Sequence, residues 1–210
     1  MKSKTKTSKH HIAFTLAEVL ITLGIIGIVA QMTIPTLMNN IEDAAAKTYA
    51  KAIYSILTQA STSIIAESEN LKDLDNDNFV NAMSGKLKTL NICHADASCW
   101  HAQNNWYNIV GTQISGTALY GLILQNGMMF GTSYSDSTCT STGDGSPRGK
   151  GTCGYIYADG NGFKKPNKLG KDIFVYHIQE DGIYPGGISG STFTACDTTG
   201  WACAAQYLNK

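Results

Sequence analysis

The chain has 210 residues, of which 43% are hydrophobic and 15% charged, a size that supports one core and an anchor more readily than two domains. Lys plus Arg equals Asp plus Glu at 16 each, a balance that argues against nucleic-acid contact, which requires a basic stripe. The balance hides an asymmetry, because Lys2, Lys4, Lys6 and Lys9 crowd the first nine residues, and without them the remainder is mildly acidic.

From Phe14 to Leu37 the sequence is nearly continuous in apolar residues and about as long as a bilayer core requires of a helix. The basic residues precede it, and Glu42 and Asp43 follow, so the positive-inside bias predicts a cytoplasmic N-terminus with the rest of the chain outside. Glu18 stands out, since a carboxylate within hydrocarbon costs on the order of 2.5–3.5 kcal/mol at mid-helix and less near the interface. It needs a proton or a partner. A cut between Ala13 and Phe14 would place the new α-amino group of Phe14 one helical turn from Glu18, and a neighbouring copy's amine could pair with it equally well. An acid placed there suits a subunit that docks helix on helix in a set register.

The run Ala13-Phe14-Thr15-Leu16-Ala17-Glu18, behind a short basic leader and ahead of an apolar stretch, resembles the prepilin processing motif of type IV pilins and type II secretion pseudopilins. The resemblance implies a leader, 1–13, removed by a prepilin peptidase that methylates the new amine of Phe14. It gives Glu18 the role of guiding assembly and matches Pro35 to a helix-kinking proline. That family usually has Gly before the cut; Ala13 is also small. The implied organisation is a transmembrane and assembly segment 14–37, an amphipathic half-helix 38–67 and a globular head 68–210. The fold implied is α+β, a long N-terminal helix packed on an antiparallel sheet with disulfide-closed loops. Implied partners are other copies of the chain or other pilins, the prepilin peptidase, an inner-membrane platform protein and an assembly ATPase. The implied location is the bacterial inner membrane, then a periplasmic or surface filament serving as a structural element rather than an enzyme. The competing reading is a Sec signal peptide cut near Ala30, releasing an exported or tethered binding protein whose Trp-rich loops hold a glycan or peptide. Glu18 within the apolar core and the bulky Ile28 where a small residue is favoured count against it.

Proline at position 35 frees the carbonyl of Gln31, which predicts a bend or local melting. Beyond it, Ile41, Ala45, Tyr49, Ala52, Ile53, Ile56, Ala60 and Ile64 recur at three and four, opposite Asp43, Lys47, Lys51, Thr58 and Thr62, as one amphipathic helix. Asp77 is a candidate cap for a short helix with Phe79, Val80, Met83, Leu87 and Leu90 inward. Trp100, Trp106 and Tyr107 are read as aromatics that pin a disulfide loop to the core. Strands are predicted over 119–124 and 128–132 about an Asn126-Gly127 turn, then over 154–158 and 173–179, with Asp181-Gly182 turning toward Ile183 and Tyr184. The Ser-, Thr- and Gly-rich stretch 133–152 reads as an exposed loop.

Six cysteines, Cys93, Cys99, Cys139, Cys153, Cys196 and Cys203, all follow the apolar segment, as an oxidising compartment would favour. Fifteen pairings are open to them; the local one, each with its sequence neighbour, closes only short loops. Zinc competes through His94 and His101, although no Cys-x-x-Cys is present. Asp159, Asn161 and Asp172 flank a Gly-rich loop with hard oxygen ligands suited to Ca²⁺, against a turn in which Asp159 and Asn161 bond their own backbone. No cofactor is required. Gly149-Lys150 lacks Walker spacing, because Asp144 takes the first glycine position and Gly151 stands where Ser or Thr belongs. No nucleophile elbow and no zincin motif occurs, so an enzyme is not expected.

Overall fold

The computed structural model describes residues 14–68, 70–116, 118, 120–134, 137–140, 151–187 and 193–209. The leader, with Ala13, and most of the stretch 133–152 lie outside the described residues. Helix α1, Leu16–Ser68, belongs to two compact units that divide between Ile41 and Glu42.

In the first unit α1 carries Leu, Ile and Val on every side and buries none of them. It runs through Pro35 as uninterrupted helix, so the melting expected there does not occur. One missing N–H bond is tolerable in a long helix whose other turns are intact.

In the second unit α1 buries Ala46, Ala50, Ile53, Leu57, Ala60, Ser61 and Ile64, a seam stepping mostly by four and three. The inward face is therefore turned by about one residue from the expected one: Ala45, Tyr49, Ala52 and Ile56 flank it half-buried, and Ile41, on the other side of the division, is exposed. Small residues on the seam bring the helix backbone close to the sheet, near enough for Tyr176 Oη to donate to Ala50 O at 3.0 Å. Tyr49 lies so near Gly160 that a Cβ there would meet the Tyr49 Cβ at 2.7 Å.

Helix α2, Asn76–Lys86, is capped by Asp75, whose side chain accepts from Asn78 N at 2.7 Å. Asp77 is not the cap; it lies within the first turn and bonds His94 Nδ1 at 2.7 Å. Phe79, Val80 and Met83 are buried as the periodicity requires, whereas Leu90 is exposed because it belongs to a strand. That strand, β1 (Thr89–Cys93), is not among the predicted ones; β2 (Tyr120–Leu124), β3 (Met129–Tyr134), β4 (Thr152–Asp159), β5 (Ile173–Gln179) and β6 (Gly182–Pro185) lie where strands are expected, with ends shifted by at most about two residues. The six strands form one sheet in chain order, antiparallel throughout.

Both faces of this sheet are covered. Leu122, Phe130, Ile156, Ala158, Phe174, Tyr176 and Ile178 join the α1 seam and α2 in the larger core cluster. Met129, Ile173 and Val175 point the other way, onto Trp100, Trp106 and Leu169. All seven residues of β5 are consequently buried. Each large apolar side chain withdrawn from water contributes about 1.5–3 kcal/mol. Two six-residue helices close the chain, α3 (Phe193–Thr198) and α4 (Cys203–Leu208). The three disulfides are Cys93–Cys99, Cys139–Cys153 and Cys196–Cys203, the local pairing.

Candidate functional site

At the start of α1, Thr15 N donates to Glu18 Oε2 at 2.9 Å, Thr15 Oγ1 donates to the same oxygen at 2.8 Å, and Glu18 N donates to Thr15 Oγ1 at 3.2 Å. This is a capping box: Thr15 caps the helix and Glu18, three residues on, reaches back to it. The T-x-x-E spelling of residues 15–18 is the sequence signal for it. Phe14 is 81% exposed, and exposed apolar side chains continue through Ile25, Ile26, Ile34 and Leu37 to Ile41. Among the described residues, α1 is the one helix long and apolar enough to cross a membrane, by length and composition.

In the second unit, Asp159 and Asp172 stand at the two ends of the loop joining β4 to β5, and both are buried. Asp159 Oδ1 accepts from Asn161 N at 2.9 Å and Gly162 N at 2.8 Å, while Oδ2 lies 2.8 Å from His101 Nε2. Asp172 Oδ1 accepts from Lys168 N at 2.6 Å; Oδ2 accepts from Asn167 N at 2.8 Å and Asn161 Nδ2 at 3.2 Å. Burial pushes the Asp159 carboxyl up from its ordinary range, against the bonds from His101, Asn161 and Gly162 that favour its charge. Burial and the neighbouring Asp159 push Asp172 up to about 6.

Asp159, Asn161 and Asp172 are thus brought together, but as anchors for amide N–H groups rather than as an oxygen cage. Asp159 Oδ1 accepts from Asn161 N and Gly162 N, the bonds of the turn, while the buried Asn161 Oδ1 meets no donor. Cys93 and Cys99 are joined to each other and so are not zinc ligands, while His94 bonds Asp77 and His101 bonds Asp159. Among the described residues no group of three or more His, Cys, Asp or Glu is placed to hold a metal.

Beside this network opens a cleft of about 810 Å³. Trp100, His101, Tyr107, Phe163, Lys165 and Lys168 are among the residues that line it. Trp100 also sits beside Cys99, with its ring T-shaped against Trp106 at 5.8 Å; Trp106 Nε1 donates to Gly116 O at 2.7 Å. The aromatics pin the Cys93–Cys99 loop to the sheet as the sequence suggested, and they form a cleft as well.

Comparison with protein-family models, with curated proteins and with solved structures finds no match for this chain.

Proposed function

We propose that this chain is a type IV pilin-like or pseudopilin-like structural subunit, cut between Ala13 and Phe14 and polymerised through its N-terminal helix. The observation that carries the reading is the stretch Phe14–Ile41, apolar on every side and interrupted by one acid, Glu18, in its first turn. A helix apolar all round is stable only inside a protein core or in lipid, and this one buries no large side chain within its own unit. Lipid answers the surface before assembly, and the same surface on neighbouring copies answers it afterwards. A signal peptide would need neither the acid nor a helix that continues unbroken past its cleavage site. The disulfides suit a head exposed to an oxidising space.

The test is the intact mass of the chain purified from bacterial membranes that contain a prepilin peptidase. The expected species begins at Phe14, carries one added methyl group and lacks six hydrogens for its three disulfides. A soluble species that begins near Gln31 would sink the reading.

A further inference from the structure

We propose that the cleft between the Trp100–Tyr107 loop and the Phe163–Lys168 loop is a binding site for an acidic saccharide, a sugar bearing a carboxylate. The proposal rests on the head alone and is independent of how the N-terminal helix is used. Its volume, about 810 Å³, lies within the ~300–1,000 Å³ typical of small-molecule sites and admits a di- or trisaccharide.

The two walls are held by the buried carboxylates. Asp159 grips His101 on one side and, through Gly162 N, the residue before Phe163 on the other. Asp172 grips Asn167 N and Lys168 N, and Asn167 Nδ2 reaches across to Asn105 O at 3.3 Å. A cleft fixed in this way loses little freedom when a ligand enters, which is what preorganised sites achieve. It also gives the buried carboxylates, costly in themselves, a purpose in aligning the two loops.

Phe163 is 59% exposed although its ring lies edge-on to His101 at 5.8 Å, so one aromatic surface is left open beside the cleft. Sugar rings present an apolar C–H face that stacks on such a ring, while their hydroxyls both donate and accept. The cleft is also lined by Ser98, Asn105 and Asn167, whose side chains carry polar groups. Lys165 and Lys168 line the same cleft and pair with no carboxylate among the described residues, which selects an anion. No arginine fork lines it, as bidentate phosphate recognition would use, and the chain's balanced charge gives a polyanion little to follow.

The test is isothermal titration of the full chain in detergent micelles with sialyllactose and trigalacturonate, with lactose and maltotriose as neutral counterparts. At least one acidic sugar is expected to bind with Kd below about 1 mM, at least about tenfold more tightly than its neutral counterpart. Lys165→Ala with Lys168→Ala, and separately Phe163→Ala, are expected to weaken that binding by about tenfold or more, with the melting temperature held as a check on folding. No binding of either acidic sugar at about 10 mM overturns the proposal. So does equal binding of the neutral sugars, unchanged affinity in the folded variants, or tighter, steeply salt-dependent binding of an oligothymidylate.

Discussion

Glu18 Oε2, which accepts from Thr15 N and Thr15 Oγ1, is also an atom that a neighbouring copy's Phe14 amine would compete for. Capping and pairing can be separated by one substitution, since Gln at this position completes a capping box as Glu does but carries no charge. Glu18→Gln is expected to insert and be cleaved normally yet yield at least about tenfold fewer filaments, scored by shearing and electron microscopy. Normal yield would leave Glu18 only its local cap. Asp172 is a different kind of acid. Its folded value of about 6 stands above the ordinary 3.8, so between about pH 4 and 6 the folded chain holds a proton that the unfolded chain has released. Stability is therefore highest on the acid side and falls as pH rises through that window, by on the order of 2–3 kcal/mol, with the full cost present at pH 7. Asp159 pushes in the same direction. Urea unfolding of the wild type and of Asp172→Asn at pH 4, 5, 6 and 7 checks this: the variant should show a clearly shallower fall, whatever its absolute stability. Equal slopes would mean that Asp172 titrates normally.

Among the elements, those with strong local signals were legible. The helical run of α1 followed from its three-four spacing, although its buried face is turned by about one residue, and the β2–β3 hairpin followed from Asn126-Gly127, where Gly127 takes φ +88°. β1 was not legible: the isolated Thr-Leu-Asn-Ile-Cys run has two exposed apolar residues, Leu90 and Ile92, and becomes a strand by pairing with β2 across some thirty residues. α3 and α4 are six-residue helices tied by Cys196–Cys203 and held by packing such as Phe174 against Tyr207, a contact that local spacing does not encode. The cleft was hidden for the same reason, since His101 and Asp159 lie 58 positions apart. Disulfide placement does allow a ranking. Cys139–Cys153 spans 14 positions, against 6 for Cys93–Cys99 and 7 for Cys196–Cys203. Loop entropy assigns the longer loop about 3 kcal/mol and the short ones about 2 kcal/mol. Paired Cys→Ser replacement, followed by urea unfolding of the detergent-solubilised chain, should show the greatest loss at Cys139–Cys153. A larger loss at Cys93–Cys99 would mean that the bond's main effect is to seat Trp100 rather than to restrain the unfolded chain.

For the molecule as a whole, the division between Ile41 and Glu42 marks where burial by protein begins: Ala46 is sealed within the head, whereas Ile41 is 56% exposed. If lipid takes the role of solvent up to that point, the cost of a charge should depend on depth rather than on exposure. Ile26 and Ile41 test this as a pair, because both are isoleucines on α1 with nearly equal exposure, 62% and 56%. At Ile26, near the centre of the apolar run, lysine costs about 2.5–3.5 kcal/mol of insertion, roughly a hundredfold in partitioning. At Ile41, beside the acidic pair Glu42 and Asp43, the same ammonium can reach the interface and costs little. Ile26→Lys should therefore lose most of its carbonate-resistant membrane fraction, and Ile41→Lys should keep it. Water as the true surroundings of both positions would make the two variants fractionate alike, and the helix would then have to find its cover in another protein before any bilayer.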